Sequence, residues 1–149
     1  MAFTGNFVCS TFKQQLLGAI HDFTFSTGDT FKMALYTNSA SFTAATTAYT
    51  ATNEVTGTGY TAGGNDLAIS SGSPNLTSTT AWTDFADETW STSTISLARG
   101  AMIYNSTPSS GTNPAVVILD FGSDKSSSAG DFTVVMPTND STNAIIRIA

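Results

Sequence analysis

The chain contains few of the residues that enzymes and metalloproteins depend on. Its 149 residues include one cysteine, Cys9, and one histidine, His21, and only 11% of them are charged, against about 25% in an average domain. A single cysteine excludes an intramolecular disulfide and a metal site built from cysteines. A single histidine excludes a metal site with several histidine ligands. The composition therefore predicts a protein without a metal or another cofactor.

Basic residues and long apolar runs are also scarce. The five Lys and Arg residues are scattered through a chain of formal net charge −6, whereas binding to nucleic-acid phosphates needs a basic cluster. The sequence has no apolar run of about 18 residues, the length a membrane span needs, and its first residues do not resemble a signal peptide. We therefore expect no nucleic-acid or membrane partner, and synthesis in a reducing cytoplasm.

Serine, threonine and short alternating segments are abundant instead. Ser and Thr account for 45 residues, and threonine suits the solvated face of a β-strand. Thr30–Thr37 alternates with period two, and Ala115–Phe121 is an apolar run typical of a strand buried on both faces. Gly122–Gly130 has the composition of a turn, and Asp131–Met136 alternates again. Further strands are predicted at Leu67–Ile69, Ala81–Phe85, Ala86–Ser91, Gly100–Asn105 and Asn143–Ile148.

Short strands separated by turn signals predict an all-β fold, an antiparallel β-sandwich or jelly roll, in one domain over residues 1–149. One helix is predicted at about residues 11–23, where Thr11 and Gln14 match a capping box. The apolar stripe of this helix would consist of Phe12, Leu16, Leu17, Ile20 and Phe23. Such a stripe either packs across the sheet or docks on a partner.

The candidates for catalysis are few. Asp84, Asp87 and Glu88 form the densest acidic group, and two carboxylates about 5–9 Å apart can serve a glycosidase. Strand alternation, however, places Asp87 on the face opposite to the other two. His21 is expected to lie at the C-terminal end of the helix, where the helix dipole favours a histidine. We therefore predict no catalytic residues and no enzyme activity.

An oxygen-ligand cation site is the other chemical possibility. Asp120, Asp124 and Asp131 bracket the predicted turn, but their spacing does not follow the calcium-loop pattern. We therefore predict no metal ligands.

Six segments spread along nearly the whole chain form a diffuse pattern: Phe12-Lys13-Gln14, Phe31–Tyr36, Asn53–Gly64, Phe85-Ala86-Asp87 ahead of Trp90, Ala98–Tyr104 and Leu119–Lys125. In these segments the chain resembles a group of small virion proteins of tailed bacteriophages. Phage proteins of this size and composition are often capsid decoration (cement) proteins, and others belong to tails or fibres. The resemblance implies a location in the virion, after synthesis in the host bacterial cytoplasm, and it carries over no active-site residues.

Taken together, these observations predict a non-enzymatic virion protein that bridges and stabilises major capsid subunits. Such a protein binds the assembled shell in preference to free subunits and stabilises it by mass action. Its partners would be the major capsid protein and copies of itself, in a symmetric oligomer such as a trimer. The alternative is a tail or fibre component that contacts other tail proteins and stacks host glycans on Tyr60, Trp82 and Trp90.

Two segments are predicted to make the contacts. The N-terminal arm, residues 1–10, and the long loop Ser39–Thr61 carry large apolar side chains with little regular structure to cover them. Such side chains must be buried on the parent sandwich or on a neighbour. We predict that both segments are sensitive to protease until the particle covers them. The candidate subunit and capsid contacts are Phe3, Phe7, Val8, Phe42, Tyr49 and Val55.

Overall fold

The fold is all-β and sandwich-like, with antiparallel strand pairing throughout, in a computed structural model that describes residues 3–149. This part of the chain contains one helix, α1 (Ser10–Leu17), and eleven strands. The strands are β1 (Phe7–Val8), β2 (Phe31–Thr37), β3 (Gly57–Thr58), β4 (Asn65–Leu67), β5 (Asn75–Thr77), β6 (Thr80–Thr83), β7 (Glu88–Ile95), β8 (Ala98–Asn105), β9 (Ala115–Lys125), β10 (Gly130–Val134) and β11 (Ile146–Ile148).

Three sheets enclose one continuous hydrophobic core. The largest has the strand order β1-β9-β8-β2-β4, and the two smaller sheets have the orders β10-β7-β3 and β11-β6-β5. Strand β9 is central because Ala115–Ile118 is buried at every position, so both of its faces are covered. Ile118 pairs with Phe7 on one side and with Met102 on the other. The prediction of a doubly buried strand is thus confirmed.

Three predicted loops contain strand: Ser39–Thr61 contains β3, the polar stretch Ser71–Thr80 contains β5, and Gly122–Gly130 contains the end of β9. Strand β9 continues through Gly122 to Lys125, which pairs with Ala98, whereas the sequence predicts a turn from Gly122 onward. Between Gly100 and Ala98 the register shifts by several residues, and Gly122 (φ 74°) lies in the resulting bulge. Strand β5 likewise lies inside a polar stretch. Hydroxyl-rich sequence does not distinguish an exposed edge strand from a loop.

The predicted helix at residues 11–23 is too long. Helix α1 ends at Leu17, since Ala19 takes a positive φ of 54° and the N–H of Ile20 turns back to the carbonyl of Gln15. The capping box is also wrong, because the N-cap is Cys9, which makes no side-chain cap, and Thr11 Oγ1 has no hydrogen-bond partner. Within residues 3–149 no helix has the length and apolarity to cross a membrane.

The predicted arm is part of the fold. Strand β1 pairs with β9, and the Phe3 ring is buried above Gly100, where a Cβ atom would lie only 2.4 Å from that ring. Residues 1 and 2 of the predicted arm lie outside the described residues. The long loop is also tied down, because Ala48 and Glu54 form bridges to Pro114 and Tyr36.

Candidate binding surfaces

A buried carboxylate, that of Glu54, accepts hydrogen bonds from two of the four tyrosines of the chain, and a third tyrosine lies beside it. Its Oε1 accepts hydrogen bonds from the Tyr60 hydroxyl (2.5 Å) and the Gly63 N–H (2.7 Å), and its Oε2 accepts one from the Tyr49 hydroxyl (2.7 Å). The Tyr104 hydroxyl donates to the carbonyl of Gly63 at 2.8 Å. The sequence analysis did not single out Glu54. The available signal was that it is the only charged residue of the Ser39–Thr61 loop.

The electrostatics of this cluster keep its tyrosines protonated. Burial, and then the negative charge of Glu54, raise the pKa of Tyr104 to about 12. Burial and the hydrogen bond to Glu54 raise the pKa of Tyr49 and of Tyr60 well above the usual tyrosine value. The cluster therefore consists of neutral donors around one acceptor. Its polar atoms bind one another, and it anchors the long loop to strands β2 and β8.

His21 lies in the aromatic core, four residues beyond the helix that it was predicted to cap. Its Nδ1 accepts a hydrogen bond from Asn105 Nδ2 at 3.0 Å, so the proton is on Nε2, which donates to Gln15 Oε1 at 3.1 Å. Burial lowers the pKa of His21, and the nearby charge of Asp29 opposes this only in part. Both ring nitrogens are used structurally, and the ring packs at 5.0 Å from that of Phe12.

The acidic group is dispersed by the fold. Asp84 is fully buried, with Oδ1 accepting from the N–H of Phe85 at 2.8 Å and Oδ2 lacking a hydrogen-bond partner within residues 3–149. Burial raises the pKa of Asp84, and the hydrogen bond from Phe85 counteracts this incompletely. Asp87 Oδ1 accepts from the N–H of Met136, while Glu88 Oε1 accepts from Asn65 Nδ2. The carboxylates of Asp87 and Glu88 thus hold two different parts of the chain, at Met136 and at Asn65.

Asp120 and Asp131, which bracket the predicted turn, form hydrogen bonds and an ion pair within the fold. Asp120 forms an ion pair with Arg99 at 3.2 Å. Burial raises the pKa of Asp120, but hydrogen bonds from Gly122 and Arg99 outweigh this and leave it below its usual value. Asp131 accepts from the N–H of Thr92. Among residues 3–149, no group of three or more His, Cys, Asp or Glu residues is arranged to hold a metal ion.

The predicted sugar-stacking residues do not form an exposed platform. Trp82 and Trp90 are buried, and Trp90 packs between Tyr60 and Phe132 at centroid distances of 5.9 and 6.1 Å. The Tyr60 hydroxyl is occupied by Glu54 and by the N–H of Leu35. Burial leaves Trp82 and Trp90 little ring surface for a glycan, and Tyr60 is half-buried. Glycan stacking on these rings stays a prediction.

The six predicted contact residues divide into two groups. Phe3, Phe42 and Val55 are buried on the parent sandwich, the first of the two alternatives, and so have little surface left to contact a neighbour. Tyr49 is half-buried and stacks on Tyr104 at 4.6 Å. Phe7 and Val8 are half-buried and line a surface groove. Their role as contacts stays a prediction.

This first groove, the edge groove, has a volume of about 650 Å³ and lies where the three sheets meet. It is lined by residues of β1, β9, β10 and β11 and of the connection between β10 and β11. Strands β1, β10 and β11 are each terminal in their sheets. Val135, on the rim, is 74% exposed. Unpaired sheet edges and exposed apolar side chains are features of a surface that binds another chain.

A second groove, the helix groove, separates α1 from β11. It consists of two cavities of about 240 and 400 Å³ that share Phe12, Leu16, Ile146 and Ile148. Leu17 and Ile148 on its outer side are 92% and 54% exposed. Lys13 and Arg147 are the only charged side chains among the residues that line the larger cavity. The sequence does not predict this groove, because it predicts a helix that continues to about residue 23, whereas α1 ends at Leu17 and leaves the groove open.

Comparison with known proteins adds no relative. No protein-family model, no curated protein and no solved structure matches this chain.

Proposed function

We propose that this chain is a non-enzymatic structural protein of a tailed-bacteriophage virion, and that it acts as a capsid decoration protein. The observation that carries the proposal is the edge groove, where the open edges of all three sheets meet beside an exposed apolar rim. The phage context rests on the sequence resemblance alone.

The chemistry of the surface favours binding over catalysis. The side chains most suited to acid–base chemistry, Glu54 and His21, are buried and engaged in hydrogen bonds that hold the fold together. An exposed edge strand pairs readily with another chain, and Val135 beside it gains from being covered. In this proposal the edge groove contacts the major capsid protein, and a symmetric oligomer such as a trimer bridges neighbouring subunits. Binding to the assembled shell stabilises it by mass action.

The copy number per particle tests the position in the virion. Quantitative mass spectrometry of purified particles is expected to find hundreds of copies, as a shell protein requires. A few copies to a few dozen would assign the protein to the tail or fibre instead. Complete absence from purified particles would refute a virion role of either kind.

A matched pair of variants tests the edge groove. Val135→Arg places a charge on its rim, and we expect it to lower occupancy on particles by about tenfold, as a loss of about 1.4 kcal/mol would. Leu97→Arg is the control, since Leu97 is also exposed (58%) but lies outside both grooves. Equal occupancy of the two variants would remove the edge groove from the proposal.

A further inference from the structure

The helix groove has the chemistry of a site for a specific kind of peptide. The 400 Å³ cavity is lined by apolar side chains together with Lys13 and Arg147, and no acidic side chain lines either cavity of the groove. This is unusual for a chain with eleven acidic and five basic residues. Lys32 and Arg99 form ion pairs with Asp66 and Asp120. Of the three Lys and Arg residues that form no ion pair within residues 3–149, two line the helix groove.

The backbone beside these cations is also unpaired. Strand β11 pairs with β6 through Ile146, Arg147 and Ile148, and it is the terminal strand of its sheet. Its one free edge borders both grooves, and Arg147 lines the edge groove as well as the helix groove. The free edge of such a strand presents N–H and C=O groups to any extended chain placed alongside. Arg147 donates one hydrogen bond to the carbonyl of Thr142, which leaves most of its five N–H donors available.

The smaller cavity supplies a place for an apolar side chain. Its volume of about 240 Å³ is bounded by Phe12, Trp82 and Ile146. An apolar cavity of about 150 Å³ already holds a molecule of the size of benzene. A leucine or phenylalanine side chain of a bound segment can therefore enter it.

We infer that the helix groove binds an extended, acidic segment of a partner protein, which adds as a fourth strand at β11. Alternate side chains of that segment point into the groove and are apolar, and its carboxylates face Lys13 and Arg147. Charge complementarity selects against basic segments in this groove, because Lys13 and Arg147 repel them. The inference rests on the proposed role as a binding protein and names the chemistry of one partner.

The test uses the isolated full-length protein, so that its result does not depend on the virion. The probe is a capped, fluorescently labelled eight-residue peptide of alternating leucine and aspartate, and binding is measured by fluorescence anisotropy. A peptide of alternating leucine and lysine should bind at least about tenfold more weakly. The leucine–aspartate peptide with alternate backbone amides methylated should also lose about tenfold, because it cannot pair with β11.

Protein variants with equal changes in net charge locate the site. Lys13→Glu and Arg147→Glu should each weaken binding of the acidic peptide severalfold, and the effect should shrink at high salt. Lys125→Glu is the control, since Lys125 forms no ion pair within residues 3–149 and does not line the helix groove. Thermal unfolding verifies that all three variants fold.

Three outcomes would overturn the inference. The first is the absence of binding by the acidic peptide, and the second is an equal loss of binding in the Lys125→Glu control. The third is a concentration-dependent dimer in sedimentation that Arg147→Glu dissociates, which would make a second copy of this chain the occupant. None of these outcomes affects the copy number on particles, so failure here is distinguishable from failure of the proposed function.

Discussion

Ile118 offers the sharpest test of the core, because it lies in an internal strand of the largest sheet. It is completely buried and is flanked by Phe7 on β1 and Met102 on β8. Replacement by alanine removes buried methyl and methylene groups between strands that cannot collapse independently. Substitutions of this kind cost about 2–5 kcal/mol, and the upper part of that range applies where the surroundings relax least.

The expected effect is large enough to measure in two ways. In a chain of this length each kcal/mol lowers Tm by about 2–4 °C, so Ile118→Ala should lose about 4–20 °C. Urea unfolding followed by the fluorescence of the buried Trp82 and Trp90 should show a lower midpoint at unchanged m. Ile118→Val, which removes less, should lose about 0.5–1.5 kcal/mol.

The control is a substitution that removes methyl groups from an exposed side chain. Val135 is 74% exposed, and Val135→Ala should change the free energy of unfolding by no more than about 0.5 kcal/mol. If Ile118→Ala were no more destabilising than Val135→Ala, strand β9 would not be the central strand of the fold.

Three further predictions concern single positions. Gly100→Ala should lower the free energy of unfolding by about 3 kcal/mol, because a Cβ atom there would lie 2.3 Å from the carbonyl oxygen of Leu119; an unchanged Tm would contradict this. Burial raises the pKa of Asp84 in the folded state, so its contribution to stability falls as pH rises above the unfolded value of about 4. Asp84→Asn should therefore gain in Tm relative to the parent between pH 4 and pH 7, and a pH-independent difference would refute the assignment. Glu54→Ala should cost about 2 kcal/mol, since three half-buried donors lose their acceptor, whereas Glu54→Gln should cost less in urea unfolding; equal losses would argue against that role.

The buried titratable side chains differ in how far the fold satisfies their hydrogen bonds. Glu54 and His21 find partners for their polar atoms within the chain, whereas Asp84 keeps one carboxylate oxygen without a partner in the described part of the chain. Side chains of the first kind hold loops in place. The proposed binding chemistry of the protein therefore lies in the apolar grooves and the free sheet edges.

Local pattern was sufficient for the strands that have a buried face, but not for exposed strands such as β3 and β5. The alternation in Thr30–Thr37 and the apolar run in Ala115–Phe121 reflect which faces of a strand are covered, and β2 and β9 occupy these positions. The all-β class follows from the same patterns, because period and turn chemistry act over a few residues. The low charge and the single histidine are likewise visible without any structure.

Long-range contacts decided the rest. The stripe from Phe12 to Phe23 has helical spacing, yet the helix ends at Leu17 because the chain turns there to pack His21 and Phe23 into the core. Phe3 becomes a core residue only because Gly100, far away in sequence, leaves room for its ring. The edge groove arises where strands of three sheets end side by side, and the helix groove arises where α1 ends beside β11. Such features depend on which segments meet in three dimensions, and a local pattern carries no information about that meeting.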